Sequence, residues 1–320
     1  MKILIIGGTG HIGSSLVPRL AAAGHEVTVV ARNAKPHYAH PGPAWNAVRW
    51  ILTDRRAEEP SGEWAARMAG IETDAVIDLI CYTPEQNRTM IEAFRGRVSH
   101  FLHCGTLWVY GACRRVPSPE TAARNPIGDY GKQKSRIETD LIAEFRQSGF
   151  PATVLHPGHI SGRNWLPIDP QGTRNGIEVY RRLARGEEIC LPDLGLATLH
   201  HVHADDVAQL FQNAIEHRAA ALGNSFNVAA PHAMTLVGCC EAVAGLFGRE
   251  PKLCFVPMAE LADRMEKEAY EGTVAHVEHS TCADISRARS LLDYAPRYTT
   301  EQIYAECLEC LLETGQLAIK

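Results

Sequence analysis

The sequence predicts a doubly wound α/β protein, a parallel sheet flanked by helices, with a smaller C-terminal lobe. Three observations carry that expectation. Short β-branched runs alternate with longer helical patterns through the first half of the chain, the mark of a parallel sheet wound by crossover helices. A glycine-rich turn joins the first run to the first helical pattern. Beyond residue 157 the alternation gives way to a stretch rich in Gly, Pro, Asn and Trp, where irregular structure is expected.

In order, residues 2–6 form the first predicted strand, 11–23 a helix and 26–31 the second strand. Residues 75–80, a helix opening at Pro84, and residues 99–103 continue the alternation. A helix over 136–147 stops at Gly149-Phe150-Pro151, and 152–156 is the next strand. From 157 to 193 the chain reads as irregular, and loops of this kind carry binding residues. Strands over 200–206 and 224–228 are able to return to the main sheet, while 235–247 and 300–313 read as helices, the latter opening on a Thr299-x-x-Gln302 capping box. The expected division is a first unit over 1–156, with 199–229 returning to it, and a lobe built from 157–198 and 230–320.

With 320 residues, 45% of them hydrophobic, the chain can bury a large core. Its net charge is −5, with Lys and Arg scattered among acids, so neither nucleic-acid nor membrane partners are expected. The sequence enters an apolar run directly after Met1-Lys2, with no basic leader and no apolar run of spanning length, which reads as cytoplasmic. Ten cysteines are spread from Cys81 to Cys310 without a compact framework and are expected to be reduced. Cys307 and Cys310 form a C-x-x-C inside the last helical pattern, and with Cys239 and Cys240 they read as core residues.

Residues 7–13 are Gly-Gly-Thr-Gly-His-Ile-Gly. In a strand-turn-helix setting Gly7 permits the tight turn, Gly10 lets backbone approach a pyrophosphate, and Gly13 allows close packing of helix on strand. Thr9, His11 and Ile12 complete the turn, and the helix start offers N–H groups to phosphates. This is a dinucleotide-binding, Rossmann-type signature. In NAD-binding members an acid usually ends the second strand, but here the stretch is Val29-Val30-Ala31-Arg32-Asn33. Arg32 suits a 2′-phosphate or an adenine face, so the cofactor is NAD or NADP, with NADP favoured. Asp54, after Trp50-Ile51-Leu52, is placed to accept from the adenine amino group or to cap the turn that follows.

Tyr130-Gly-Lys-Gln-Lys134 sets a phenol and an ammonium four residues apart, one turn apart on one helix face. A nearby cation stabilises a phenolate, which can then trade protons with a substrate hydroxyl. Thr106 stands where the buried run 101–105 breaks into a small-residue turn, and the carboxyl ends of such strands face the ligand.

The set Gly7-x-x-Gly10-x-x-Gly13, Thr106 four before Tyr110-Gly111, and Tyr130-x-x-x-Lys134 resembles the extended short-chain dehydrogenase/reductase family, particularly its epimerase/dehydratase branch. Further matches are Val202-His-Ala-Asp205-Asp206-Val-Ala208, His156-Pro157-Gly158 and the stretch from Ser286 to Pro296, so the likeness covers nearly the whole chain. The resemblance implies Tyr130 as general acid/base, Lys134 holding the ribose and lowering the tyrosine pKa, and Thr106 as the partner hydroxyl. It also implies cofactor contacts at Leu79, Ile80 and Pro157, a substrate-side Tyr82, and a homodimer joined through the helices that start near Pro84 and Tyr130.

Departures from the family pattern narrow the chemistry. Dehydratases resembling this loop place Asp and Glu after the Thr, and decarboxylases keep a Glu, whereas this chain has Leu107 and Trp108. Oxidation, reduction or epimerisation of a sugar-like substrate remains. The arginine that UDP-sugar members carry before the Val-His strand is replaced by Thr198-Leu-His-His201, and the one before Pro-Gly by His156, which weakens a nucleotide-sugar substrate against a simpler sugar. His159, Trp165 and His201 are candidate substrate contacts, since Trp stacks on sugar faces and His bonds hydroxyls. No metal site is expected of His200, His201 and His203, because in a strand His201 and His203 share one face and His200 takes the other. The rival reading is a nucleotide-sensing or RNA-binding protein that keeps the fold without catalysis; the intact Thr, Tyr and Lys set speaks against it.

Overall fold

The computed structural model describes residues 1–35, 42–174 and 176–317. The first half contains β1 (Lys2–Ile6), α1 (His11–Ala22), β2 (Glu26–Ala31), β3 (Arg49–Leu52), α2 (Arg55–Glu58), α3 (Glu63–Ala69), β4 (Ala75–Asp78), α4 (Pro84–Phe94), β5 (His100–Cys104), α5 (Gly128–Ser148) and β6 (Ala152–Pro157). Then come β7 (His159–Ser161), α6 (Glu178–Arg185), β8 (Glu188–Pro192), β9 (Thr198–Leu199), β10 (His201–His203), α7 (Ala204–Glu216), α8 (Arg218–Ala221) and β11 (Ser225–Val228). The chain continues through β12 (Met234–Thr235), α9 (Leu236–Leu246), β13 (Lys252–Val256), α10 (Met258–Leu261), α11 (Lys267–His279), α12 (Ser286–Leu292) and α13 (Thr300–Glu313).

Seven strands make one sheet in the order β11-β6-β5-β4-β1-β2-β3, every pairing parallel. Parallel strands are covered on both faces and read as unbroken apolar runs. In β1, Ile3 and Ile5 enter one core with Leu16 and Val17 of α1 and Phe211 of α7, while Leu4 and Ile6 enter the other with Met90 of α4 and Ile137 of α5. The strand order reverses between β1 and β4, and a doubly wound sheet opens a crevice beyond the carboxyl ends of its strands at such a point. A third core joins Tyr180 and Leu183 of α6, Ile189 and Leu191 of β8, Cys239 and Val243 of α9, and Tyr304 and Leu308 of α13.

Several sequence expectations need correction. Only His201–His203 of the expected 200–206 strand is extended, and it pairs with β7 rather than with the main sheet. Helix α7 begins at once because His203 accepts from the Asp205 amide and two aspartates occupy its first turn. Ser225–Val228 does return to the sheet, beside β6. The stretch read as irregular contains β7, α6 and β8, whose short lengths blur their periodicity.

Cys190 and Cys254 form a disulfide where all ten cysteines were expected reduced. Facing positions on β8 and β13 bring them together, and 64 residues of separation hide that pairing from any spacing rule. Cys239, Cys240, Cys307 and Cys310 are free and buried, and the Thr299/Gln302 capping box of α13 forms as read.

Candidate active site

A cavity of about 780 Å³ lies over the carboxyl ends of β1, β2, β4, β5 and β6. Gly7, Thr9, Gly10, His11, Ile12, Gly13, Arg32, Asp54, Leu79, Ile80, Tyr82, Thr106, Tyr130, Lys134, Pro157, His159 and Trp165 all line it. His201 does not. Its ring is fully buried with Nε2 3.2 Å from the Ile168 carbonyl, because β10 lies behind β7 and leaves His159 in front. His200 and His203 also diverge: His200 Nε2 lies 2.9 Å from the Ala230 carbonyl, and His203 Nε2 2.7 Å from Glu306.

At the phosphate-binding turn, a Cβ on Gly13 would stand 2.3 Å from the Gly8 carbonyl oxygen, so only glycine lets α1 start this close to β1. Gly10, the N-cap of α1, brings no side chain to the first turn. The cradle is thus open to an anion, as a dinucleotide pyrophosphate requires.

The loop after β4 is set by residues that pattern reading missed. Arg55 is buried against Asp78, with Nη1 2.9 Å from Oδ2, and its Nε donates to Glu59 at 2.7 Å. Asp78 accepts from the Ile80 amide, and Gln86 ties the Tyr82 amide to Glu59. A buried ion pair held in a full hydrogen-bond set fixes one geometry; here it shapes Leu79 to Tyr82. Asp54 accepts from the Arg56 amide and caps α2, which is one of its two anticipated roles. Arg32 and Arg56 stand on the cavity wall, neither in an ion pair with a described residue.

Tyr130 and Lys134 lie on the first turns of α5. Lys134 is buried, donating 2.8 Å to the Cys81 carbonyl and 2.6 Å to the Cys104 carbonyl, with Nζ 5.9 Å from the Tyr130 ring centre. Burial lowers its pKa. The Tyr130 pKa is raised, desolvation being the largest cause, while the Thr106 hydroxyl and the Arg174 charge pull it down. Trp108 occupies the acid position of the dehydratases, stacked on His279 at 4.1 Å and edge-on to Tyr130 at 6.0 Å.

The Thr106 turn has its own support. The Thr106 amide donates to His156 Nδ1 at 3.1 Å, and His156 Nε2 lies 3.0 Å from Glu138, which also accepts from Arg124 and Ser225. Accepting at Nδ1 leaves the neutral ring's proton on Nε2, facing the carboxylate. Gly105 makes room, since a Cβ there would stand 2.4 Å from His156 Nδ1. An arginine at 156 could only donate, so histidine here holds a backbone N–H that an arginine cannot. Replacing His156 with Leu strands that buried amide and is expected to lower turnover about 10- to 100-fold, with cofactor affinity within about twofold; His156→Asn, which restores an acceptor, should recover most of the loss. Steady-state kcat beside cofactor titration checks this, and equal loss in both variants would count against the role.

A sequence model of the NAD dependent epimerase/dehydratase family matches residues 3–229. The chain belongs to that family. This bears out the resemblance to the extended short-chain dehydrogenases/reductases read from the motifs. Among curated proteins it is similar to 2'-dehydrokanamycin reductase of Streptomyces kanamyceticus, 26% identical across 83% of this chain and 72% of the relative. It is also similar to the chloroplast stem-loop binding protein of 41 kDa b of Arabidopsis thaliana, 24% identical across 93% of this chain and 75% of that one. Of solved structures, UDP-glucose 4-epimerase of Thermotoga maritima with UDP-glucose superposes with a TM-score of 0.71 at 22% identity, covering 98% of this chain and 99% of the other. The fold is therefore that of the epimerases, as the sequence pattern predicted. No helix among the described residues is long and apolar enough to cross a membrane.

Sequence reading missed Arg174 and His276 on the cavity wall. His276 comes from α11, which no motif announced. Burial lowers its pKa to about 4, and His159 also falls well below its ordinary value, first through burial. Near neutral pH both rings are uncharged and offer hydrogen bonds rather than charge.

Proposed function

We propose that this family member is an NADP-dependent oxidoreductase of sugar-like substrates, interconverting a ring hydroxyl and a ketone. The observation that carries the reading is that Thr106, Tyr130 and Lys134 line the same cavity as the glycine turn. When bound, the nicotinamide supplies or accepts the hydride. The chain's residues handle the proton: Tyr130 gives its phenolic hydrogen to the ketone oxygen, Thr106 orients that oxygen, and Lys134 ties the end of β5 to the loop after β4. A phenol kept protonated by enclosure suits the reducing direction. Epimerisation uses the same residues twice, once in each direction, and the family model supports it as the second reading. With Leu107 and Trp108 in the acid positions, dehydration and decarboxylation lack their proton donors.

NADP is favoured over NAD because Arg32 and Arg56 share the cavity wall beyond β2 and β3 where a ribose acid would otherwise stand. The RNA-binding alternative, which one relative's name keeps in view, is disfavoured by the assembled hydroxyl pair. A cytoplasmic homodimer joined through α4 and α5 belongs to the same proposal, by family analogy.

The direct test is mass spectrometry of the nucleotide carried through purification, followed by titration of emptied protein with NAD, NADP and their reduced forms. Weak, exchangeable binding with NADP preferred is the expected result. Tight, co-purifying NAD would shift the reading to an epimerase that recycles its cofactor.

A further inference from the structure

The cavity wall holds a cation that no described residue balances. Arg174 lines the wall with Tyr130, His159 and His276, and it has neither an ion pair nor a hydrogen bond with any described residue. Among the described lining residues the only carboxylate is Asp54, committed to the start of α2. Arg55 is paired and Lys134 is spent on carbonyls. Of the two acids nearest in sequence, Glu178 is exposed and faces Arg181, while Asp169 is buried and used up within its own turn: it accepts from the Gln171 amide at 2.8 Å, the Thr173 amide at 3.1 Å and the Thr173 hydroxyl.

That turn is anchored on both sides. Gln171 Nε2 donates to the Cys190 carbonyl at 2.6 Å, and Gly172 packs so closely on α11 that a Cβ would stand 3.3 Å from Thr273 Cα. Arg174 thus leaves a fixed turn toward the cavity. A guanidinium carries five donors and no acceptor, and it is matched best by a planar carboxylate or a phosphate. Its charge also acts on Tyr130, favouring the ionised phenol, so it lies close to the reacting end. A polycationic amino sugar would meet no counter-charge here.

We infer that Arg174 reads an anionic group, a carboxylate or a phosphate, on the sugar that reacts at Tyr130. The inference rests on the oxidoreductase reading above for its statement of where the substrate sits. The two oxygen anions share one chemistry, and the choice of probes separates them from each other and from a nucleotide diphosphate.

Calorimetry on the NADP-saturated full chain, with UDP-glucose, UDP-glucuronic acid, glucose 6-phosphate and kanamycin as probes, tests it for wild type, Arg174→Gln and Arg174→Lys. The expected result is that UDP-glucuronic acid binds at least about tenfold more tightly than UDP-glucose, or glucose 6-phosphate detectably where kanamycin does not. Arg174→Gln removes that preference and Arg174→Lys keeps part of it. An equal loss for UDP-glucose and UDP-glucuronic acid in Arg174→Gln would place the anion on the diphosphate and overturn the assignment to the reacting sugar. Unchanged affinity in the variants, no binding of either acidic sugar, or kanamycin binding as well as they do would overturn the inference outright. NADP titration and Tyr130-dependent turnover are separate readouts, so failure of the oxidoreductase reading is recognisable by itself.

Discussion

Replacing Tyr130 with Phe is expected to lower turnover by about three orders of magnitude, within the range for loss of a positioned proton donor, while the cofactor dissociation constant moves by less than about twofold. The substitution keeps the ring and its edge contact with Trp108, 6.0 Å between centres. What disappears is the hydroxyl that pairs with Thr106. Loss in kcat with KM nearly constant marks an interaction made in the transition state. The pH profile of the wild type adds a second reading. A phenol donates only when protonated, so reduction is active below its pKa and declines as pH rises through it. Desolvation raises that pKa although the residue is 43% exposed, so the alkaline limb is expected no lower than the ordinary tyrosine value of about 10. Unchanged turnover in Tyr130→Phe would remove the mechanism; a limb near neutral pH would show that a cation, rather than enclosure, governs the phenol.

Changing Arg32 and Arg56 together to Ala is expected to weaken NADP binding about 100-fold and leave NAD within about twofold. Each guanidinium is worth about tenfold against a 2′-phosphate at a site open to water, the lower end for charge-assisted hydrogen bonds once screening is allowed for. Both side chains line the cavity and neither has an acidic partner among the described residues, so the free protein gives up no ion pair when they are removed. Fluorescence titration at two salt concentrations checks the claim: wild-type NADP affinity should fall with salt, and the double variant should lose most of that dependence. Equal weakening of NAD would show that the arginines touch the adenosine instead, which is the other anticipated use of Arg32.

Legibility in the sequence followed the range of the interactions. Five of the six strands from β1 to β6 could be found because each is a local apolar run, β3 being the half-exposed exception, and the glycine turn because Gly13 is demanded by backbone only five residues away, at Gly8. Thr106, Tyr130 and Lys134 were legible as a spaced set. The failures are long-range. His201 was placed in the site on the hydrogen-bonding chemistry of its ring, which says nothing of β10 pairing with β7 and setting that ring against the Ile168 carbonyl. Arg55, Arg174 and His276 carry no motif: Arg55 is set by Asp78, the turn that carries Arg174 by Cys190 and Thr273, and His276 packs edge-on to Trp108. For Lys134, spacing gave its proximity to Tyr130 but not the two carbonyls that claim the ammonium.

The return of β11 bears on how the chain acquires its shape. Strand β6 is buried along its whole length, yet its outer neighbour is not made until residues 225–228. As the chain emerges during synthesis, the first six strands can assemble while the seventh place stays empty, leaving an apolar edge of unpaired amides exposed. Such edges recruit foreign strands. The first half of the sheet is therefore not a separable module: its β6 edge is closed only by residues that follow the whole run from β7 to α8.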